Sequence, residues 1–291
     1  MRLARLLCGL VFAFVALGSA AQADQPALWK LSGPKGQIHF FGSFHLLPPN
    51  VEWRTPALAR ALEQSAAIVF ELDVEGATSA KAMEPMMAKF GLLPPGQTLR
   101  AQLKDKDYAE FEKLAGELGL PPAGLAPMRP WLAALVMGVQ FVVKQGYDPA
   151  RGVEQQVAVW AKQNGKALGS LESVESQLRI FADLPREQEI GLLQVTVRQL
   201  REMAGVLDQI LAAYRKGDVA ALERALHSGM DELPALRQRI FGDRHRAWLP
   251  QIEKMLADGG NRVVIVGAAH LVGPDSVIAL LRAKGYKVEG P

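Results

Sequence analysis

The sequence predicts an α/β protein: a small, mixed but mainly parallel sheet covered by helices and interrupted by large helical inserts. Three observations predict it. Short apolar runs such as "AIVF" and "VVIV" recur at wide intervals, each suited to a buried strand and bounded by turn residues. Three of the runs follow stretches with helical spacing, and two of those stretches close on glycine, the order expected of parallel strands joined by helical crossovers. The chain between them is long and amphipathic with a period near 3.6, so it adds helices rather than strands.

From the amino terminus, Arg2 and Arg5 give a short positive region, Leu6 to Leu17 an apolar run, and Ala21-Gln22-Ala23 a small-x-small site ahead of Asp24. That is the pattern of a secretory signal peptide cut after Ala23, because the run falls short of the ~20 residues that span a bilayer. Residues 24–291 are therefore expected to form a single exported domain, periplasmic or secreted, with no stable membrane span after cleavage. Cys8, the only cysteine, leaves with the leader, so stability has to come from an apolar core rather than disulfides. Lys and Arg number 33 against 30 Asp and Glu, two of the basic residues lying in the leader. A surface so close to neutral gives no reason to expect nucleic acid.

The first strands are expected at 27–32 and 37–42, joined as a hairpin by Gly33-Pro34-Lys35-Gly36. Next come 66–73 ("AAIVFELD"), 166–172 ("KALGSLE"), 261–267 ("NRVVIVG") and a terminal strand at 286–290. The middle three follow "PALARALEQS", "GVEQQVAVWAKQNG" and "RHRAWLPQIEKMLADGG", all helical in pattern. Residues of about 78–146 and 185–241 form the inserts, expected to cap the sheet as a lid, with a homodimer surface as the competing use.

Chemistry gathers where the strands end, because loops and helix amino termini converge at the carboxyl edge of a parallel sheet. A frame of four mostly apolar residues, Gly, two residues, His and Leu occurs twice, as "IHFFGSFHL" and "VVIVGAAHL". It places His45 and His270 each three residues past a strand. Gly42 and Gly267 are expected to let the chain turn sharply there and to leave room for what the histidines touch. Glu71 directly follows the last apolar residue of its strand, with Asp73 further out in the loop. Two imidazoles and a carboxylate are a common ligand set for a divalent metal of Mn, Co or Zn type with open positions for water and substrate. Glu154 and Glu172 are placed to contact the same rim, beside the ligands or the substrate. Ser43 lies in Gly-Ser-Phe-His rather than in the Gly-x-Ser-x-Gly elbow of a serine nucleophile. His39 falls inside a strand and His227 at a helix carboxyl end, where its charge suits the dipole; neither is expected in the site.

In that order and spacing, "GSFH", "FELD", "GVEQQVAVWAKQNGKALGSLESVESQL", "DRHRAWLPQIEKML" and "GAAH" resemble the TraB/GumN/Tiki family, most closely its signal-bearing, GumN-like bacterial members. The resemblance runs over nearly the whole mature chain. It implies a fold related to the erythromycin-esterase and ChaN-like proteins and, for the Tiki branch, a divalent-metal-dependent protease. Carried onto this chain, the family's two histidines are His45 and His270, its acid is Glu71, and its basic residue ahead of the last strand is Arg244. The chain departs from the family in two places: Gly152-Val153-Glu154 stands where Gly-x-Asp is usual, and Arg244-His245 where Arg-Asn is common. The second departure brings an extra imidazole to the site.

The expected function is that of an exported metal-dependent hydrolase acting on a peptide or amide bond of a peptide or small-molecule substrate. The metal would acidify its bound water, Glu71 would complete the ligands or take the water's proton, and Arg244 would hold the developing oxyanion. One alternative is an esterase-like, metal-independent hydrolase with His45 as base. Another is a non-catalytic periplasmic protein that binds haem, iron or a peptide.

Overall fold

The computed structural model describes residues 24–73, 80–227 and 230–291. The expected signal segment 1–23 and the first two residues of the first insert lie outside the described residues. Six strands form one sheet: β1 (Leu28–Gly33), β2 (Gly36–Ser43), β3 (Ala67–Leu72), β4 (Ala167–Glu172), β5 (Arg262–Gly267) and β6 (Val288–Glu289). Their order is β4-β3-β5-β2-β1-β6. The four strands from β4 to β2 are parallel, while β1 pairs antiparallel with β2 as the hairpin and antiparallel with β6.

The centre of the sheet is apolar because both its faces are covered. Ile38, Phe40 and Phe41 of β2 and Val263 to Val266 of β5 are all buried, the continuous apolar run of a parallel strand between helices. Helix Pro56–Gln64, opened by Thr55 accepting the amide of Leu58 at 3.2 Å, carries the chain from β2 to β3. Helix Val153–Gln163 leads into β4 and helix Arg244–Asp258 into β5. Trp248, Leu249 and Ile252 of the latter join the sheet core.

Both inserts are helical. The first supplies helices Ala80–Gly91, Asp105–Leu118 and Pro130–Lys144, the second Arg186–Leu200, Met203–Lys216 and Val219–His227. They build a core of their own, in which Leu99, Phe111, Ala133 and Met137 of the first meet Leu193 and Val197 of the second. Arg129, just ahead of its helix, ties the pieces together: its guanidinium donates to the carbonyls of Phe90 (3.1 Å) and Ala182 (2.7 Å) and pairs with the buried Glu189. Among the described residues no helix is long and apolar enough to cross a membrane.

One hydrogen bond joins the second insert directly to the sheet. The hydroxyl of Tyr214, buried against Phe41 and Phe44, donates to the carbonyl of Gly42 at 3.0 Å. Replacing Tyr214 by Phe keeps the ring and deletes only this bond, so stability should fall by about 1 kcal/mol with secondary structure intact. Urea unfolding followed by circular dichroism checks it; no change in midpoint would mean that the bond contributes nothing net.

Candidate functional site

Parallel register brings four strand ends to one edge. Ser43 of β2 lies opposite Gly267 of β5, and Leu72 of β3 opposite Glu172 of β4. Alternation along β3 then turns Glu71 away from its neighbours Phe70 and Leu72. The structure corrects one of the two expected roles of the glycines, the sharp turn: β2 continues through Gly42 to Ser43, so His45 is two residues past the strand, and neither Gly42 nor Gly267 has a positive φ. What both positions require is space. A Cβ on Gly42 would sit 3.0 Å from Ala268, and one on Gly267 would sit 3.2 Å from a Glu71 oxygen.

The loop after β2 is held by backbone contacts with the segment leading into helix Val153–Gln163. The amide of Val153 donates to the carbonyl of Phe44 at 3.1 Å, and Leu47 and Asp148 exchange backbone bonds at 3.0 and 3.4 Å. Gly152 packs so tightly here that a Cβ would fall 2.3 Å from the carbonyl oxygen of His45. Glu154 is thereby delivered, in the first turn of its helix where the dipole favours an anion, to the imidazole of His45. Its Oε1 lies 2.9 Å from Nδ1 of His45 and accepts the hydroxyl of Ser43 at 2.5 Å. Its Oε2 is buried with no hydrogen-bond partner among the described residues.

Burial opposes the charge of Glu154, but His45 and the Ser43 hydroxyl hold its carboxyl below the usual range. The same pairing raises His45 from 6.5 to about 9. The His45 side chain is 71% exposed, so water screens part of that pull. With Nδ1 turned to the carboxylate, Nε2 is the nitrogen left to face a substrate. A cleft of about 230 Å³ opens beside it, lined by His45, Glu71, Glu154, Gln155 and Gln177 among others.

The second cluster is dry. A turn of π-helix, Gln238–Asp243, runs into helix Arg244–Asp258 and points both Arg244 and His245 at the strand ends. The Arg244 guanidinium donates to Glu71 Oε2 (2.7 Å), to both oxygens of Glu172 (2.9 and 3.1 Å) and to Nε2 of His270 (2.9 Å). Glu172 also accepts the indole N–H of Trp248 at 2.7 Å. Glu71 accepts further from Gln177 Nε2 at 3.1 Å and from the Gly267 amide.

The partners settle the tautomers. Nδ1 of His245 lies 2.6 Å from the Asp275 carbonyl, which only accepts, so this nitrogen carries the proton. Nε2 of His245 is then the acceptor for Nδ1–H of His270 at 2.9 Å, and Nε2 of His270 accepts from Arg244. Burial, the largest cause, keeps both rings neutral, lowering His245 to about 4 and His270 to about 3. Burial also opposes the charge of Glu71, yet His270, Arg244 and the Gly267 amide bring it down to about 2. Since His270 is neutral at pH 7, the cations that keep Glu71 ionised there are Arg244, which donates to it directly, and the more distant His45.

His45, Glu71 and His270 therefore reach one edge in two different states. As arranged they do not fit a metal ion: Nε2 of His270 and Oε2 of Glu71 are both taken by the same guanidinium. Among the described residues no group of three or more His, Cys, Asp or Glu is set to hold a metal. The orphaned Glu154 oxygen points to a missing polar partner but is only one donor atom. Glu154 and Glu172, expected at the rim, are each paired with a key residue. His245 lies behind His270, and Asp73 is exposed and does not line the cleft. His39 stays in its strand; His227, expected to have no part, supports the His270 loop through a 3.2 Å contact with the Ala269 carbonyl. Gln155, Gln177 and Trp248 went unread, although Gln155 directly follows Glu154 and Gln177 sits one turn into the helix after β4.

A family model described as the TraB/PrgY/gumN family matches residues 27–290. The "Uncharacterized protein YbaP" of Escherichia coli (strain K12) is 23% identical over 84% of this chain and 88% of its own length. An "Uncharacterized protein" of Treponema pallidum (strain Nichols) is 22% identical over 92% of this chain and 84% of its own. The "Metalloprotease TIKI2" of Danio rerio is 22% identical over 93% of this chain and 63% of its own. No solved structure matches.

Both inner histidines titrate below 6.5, so in acid the unfolded chain binds protons that the folded chain refuses. Their contribution to stability is complete above pH 6.5 and is lost as the pH falls through about 4 and then about 3. Urea midpoints across a pH series should show that loss, with imidazole nitrogen shifts of neutral rings persisting to near pH 4. Midpoints flat across this range, or rings charged at pH 5, would contradict the dry cluster.

Proposed function

The chain belongs to the TraB/PrgY/gumN family, and from that premise we propose that it is an exported hydrolase cleaving a peptide or amide bond at His45. The reading rests on one observation: an exposed imidazole with Nδ1 on a half-buried, ionised carboxylate and Nε2 without a hydrogen-bond partner among the described residues, beside a cleft. Export is supported by the leader pattern of residues 1–23. In the neutral form of His45, Nε2 takes a proton from water as the water oxygen attacks the substrate carbonyl. The imidazolium, stabilised by Glu154 and facing Glu71, then returns that proton to the leaving nitrogen as the C–N bond breaks, giving a carboxylic acid and an amine. Gln155, on the cleft wall, is a residue type that donates to the developing oxyanion. Glu71 accepts from Arg244, Gln177 and the Gly267 amide, so it serves as a fixed anionic wall and leaves the proton work to His45.

A second reading, hydrolysis dependent on a divalent metal, is favoured by the name of the Danio rerio relative, a metalloprotease. It requires Arg244 to leave both His270 and Glu71. Elemental analysis and chelation separate the two: cleavage that survives chelator supports the first reading, and cleavage lost to chelator and restored by one metal supports the second.

The base form of His45 grows with pH up to about 9, so kcat/KM should rise toward that pH and level off. Glu154→Gln removes the charge that raises the ring and should bring this limb down toward 6.5. His45→Ala should lower kcat by about 10²-fold or more. The assay is cleavage of a library of internally quenched peptides; an unmoved limb in the Glu154 variant, or full activity without His45, would defeat the proposal.

A further inference from the structure

The loop between β2 and helix Pro56–Gln64 bounds a cavity of about 350 Å³. One wall is the loop itself, with Leu47, Trp53 and Arg54; the other is the start of helix Val153–Gln163 and the turn before it, with Arg151, Val157 and Trp160. Both walls are held by bonds within the protein. Leu47 and Asp148 are bridged through their backbones, Gln156 donates to the carbonyl of Arg151 at 2.6 Å, and the amide of Glu52 donates to Asp24 at 3.1 Å. Trp53 is only 6% exposed and packs against Phe41 of β2 with ring centroids 6.2 Å apart, which anchors its part of the wall to the sheet core.

Charge sets this cavity apart from the cleft at His45. Arg54 lies over the ring of Trp160, 4.8 Å from its centroid, and has no carboxylate partner among the described residues. Arg151 is loosely paired: its Nε is 3.7 Å from one oxygen of Asp148, whose other oxygen caps the amide of Ala150 at 2.8 Å. Among the described residues that line the cavity, Glu52 is the one acid against these two guanidinium groups. Stacking on an indole orients a guanidinium and leaves the donors on its edge unused. Two such forks beside an apolar surface suit an oxyanion attached to an apolar body.

We propose that this cavity binds a small anionic molecule, a carboxylate or phosphate carried on a flat apolar body. Arg54 and Arg151 hold the oxyanion, while Leu47, Trp53 and Trp160 meet the body. The volume is that of a small-ligand site. A polyanion is a poorer occupant, since 33 Lys and Arg against 30 Asp and Glu give the chain little net positive field to attract one. The cleft at His45 shares none of the lining residues, so the site stands whether or not the chain is a hydrolase.

Isothermal titration calorimetry on the protein tests it with four probes. Indole-3-acetate is compared with its neutral amide, indole-3-acetamide, and phenyl phosphate with inorganic phosphate. The acetate should bind about tenfold or more tightly than the amide, because the amide cannot form the charge-assisted bonds. Phenyl phosphate should bind more tightly than inorganic phosphate, which has no body, and the tighter of phenyl phosphate and the acetate identifies the preferred head group. Arg54→Gln and Arg151→Gln should each weaken both anions by about tenfold and leave the amide unchanged. Arg54→Lys keeps the charge without the fork and should recover part of the loss. Both side chains are exposed, so the circular dichroism of these variants should match that of the unmutated protein. Equal binding of the acetate and its amide, no binding of any probe, or affinities that neither arginine variant lowers overturn the site. Inorganic phosphate bound as tightly as phenyl phosphate overturns it as well, because the apolar wall would then contribute nothing.

Discussion

The arrangement of the site depends on one buried cation. Arg244 reaches the end of β3 through Glu71, the end of β4 through Glu172 and the loop after β5 through His270. Burying two carboxylates and a guanidinium costs several kcal/mol per ion unless every lone pair and proton finds a partner. Here both carboxylates have partners beyond Arg244: Glu172 also takes the Trp248 indole, and Glu71 also takes Gln177 and the Gly267 amide. A network so fully satisfied admits one geometry, since any shift of a strand end would leave a charge unpaired in a dry place.

The edge is divided by access to water. Inside, burial makes the charged form of imidazole unfavourable, so His245 and His270 form a neutral relay that passes hydrogen bonds from Arg244 to the Asp275 carbonyl. Outside, His45 keeps a wet ring on a half-buried carboxylate, and the pairing favours its charged form. Acid–base chemistry at one pH uses titratable groups whose surroundings push them in opposite directions, and here the two directions are found in residues of the same type on one sheet edge. The inner relay holds geometry while the outer pair is free to exchange protons.

Much of the fold was legible because strand signals in this chain are local. "AIVF" and "VVIV" are buried on both faces and so carry no alternation to confuse with a helix, and the glycines after the crossover helices mark where they stop. The terminal strand, expected at 286–290, is limited to Val288–Glu289, which pairs with Leu31 and Lys30 of β1. The partners inside the site were less legible. Glu154 could be placed at the rim, but its bond to His45 depends on Gly152 packing against the His45 carbonyl, a contact between loops more than a hundred residues apart. Arg244 and Glu172 are both visible, but nothing local says that one guanidinium will span three strands.

The repeated glycine-x-x-histidine frame shows the limit most clearly. In both copies a parallel strand ends, the register sets Ser43 against Gly267, and a histidine follows within three residues. What separates their chemistry is the continuation. After Gly267 the chain folds into the single 3-10 turn Ala268–His270, under the π-helical turn and helix of Arg244, where Phe241, His245 and Trp248 surround the ring and keep it neutral. After Ser43 the chain runs outward to its backbone bridge with Asp148, leaving the ring of His45 in water with one carboxylate beside it. Identical local frames therefore give opposite protonation states, because a histidine's charge is set by what covers it, and the cover comes from elsewhere in the chain.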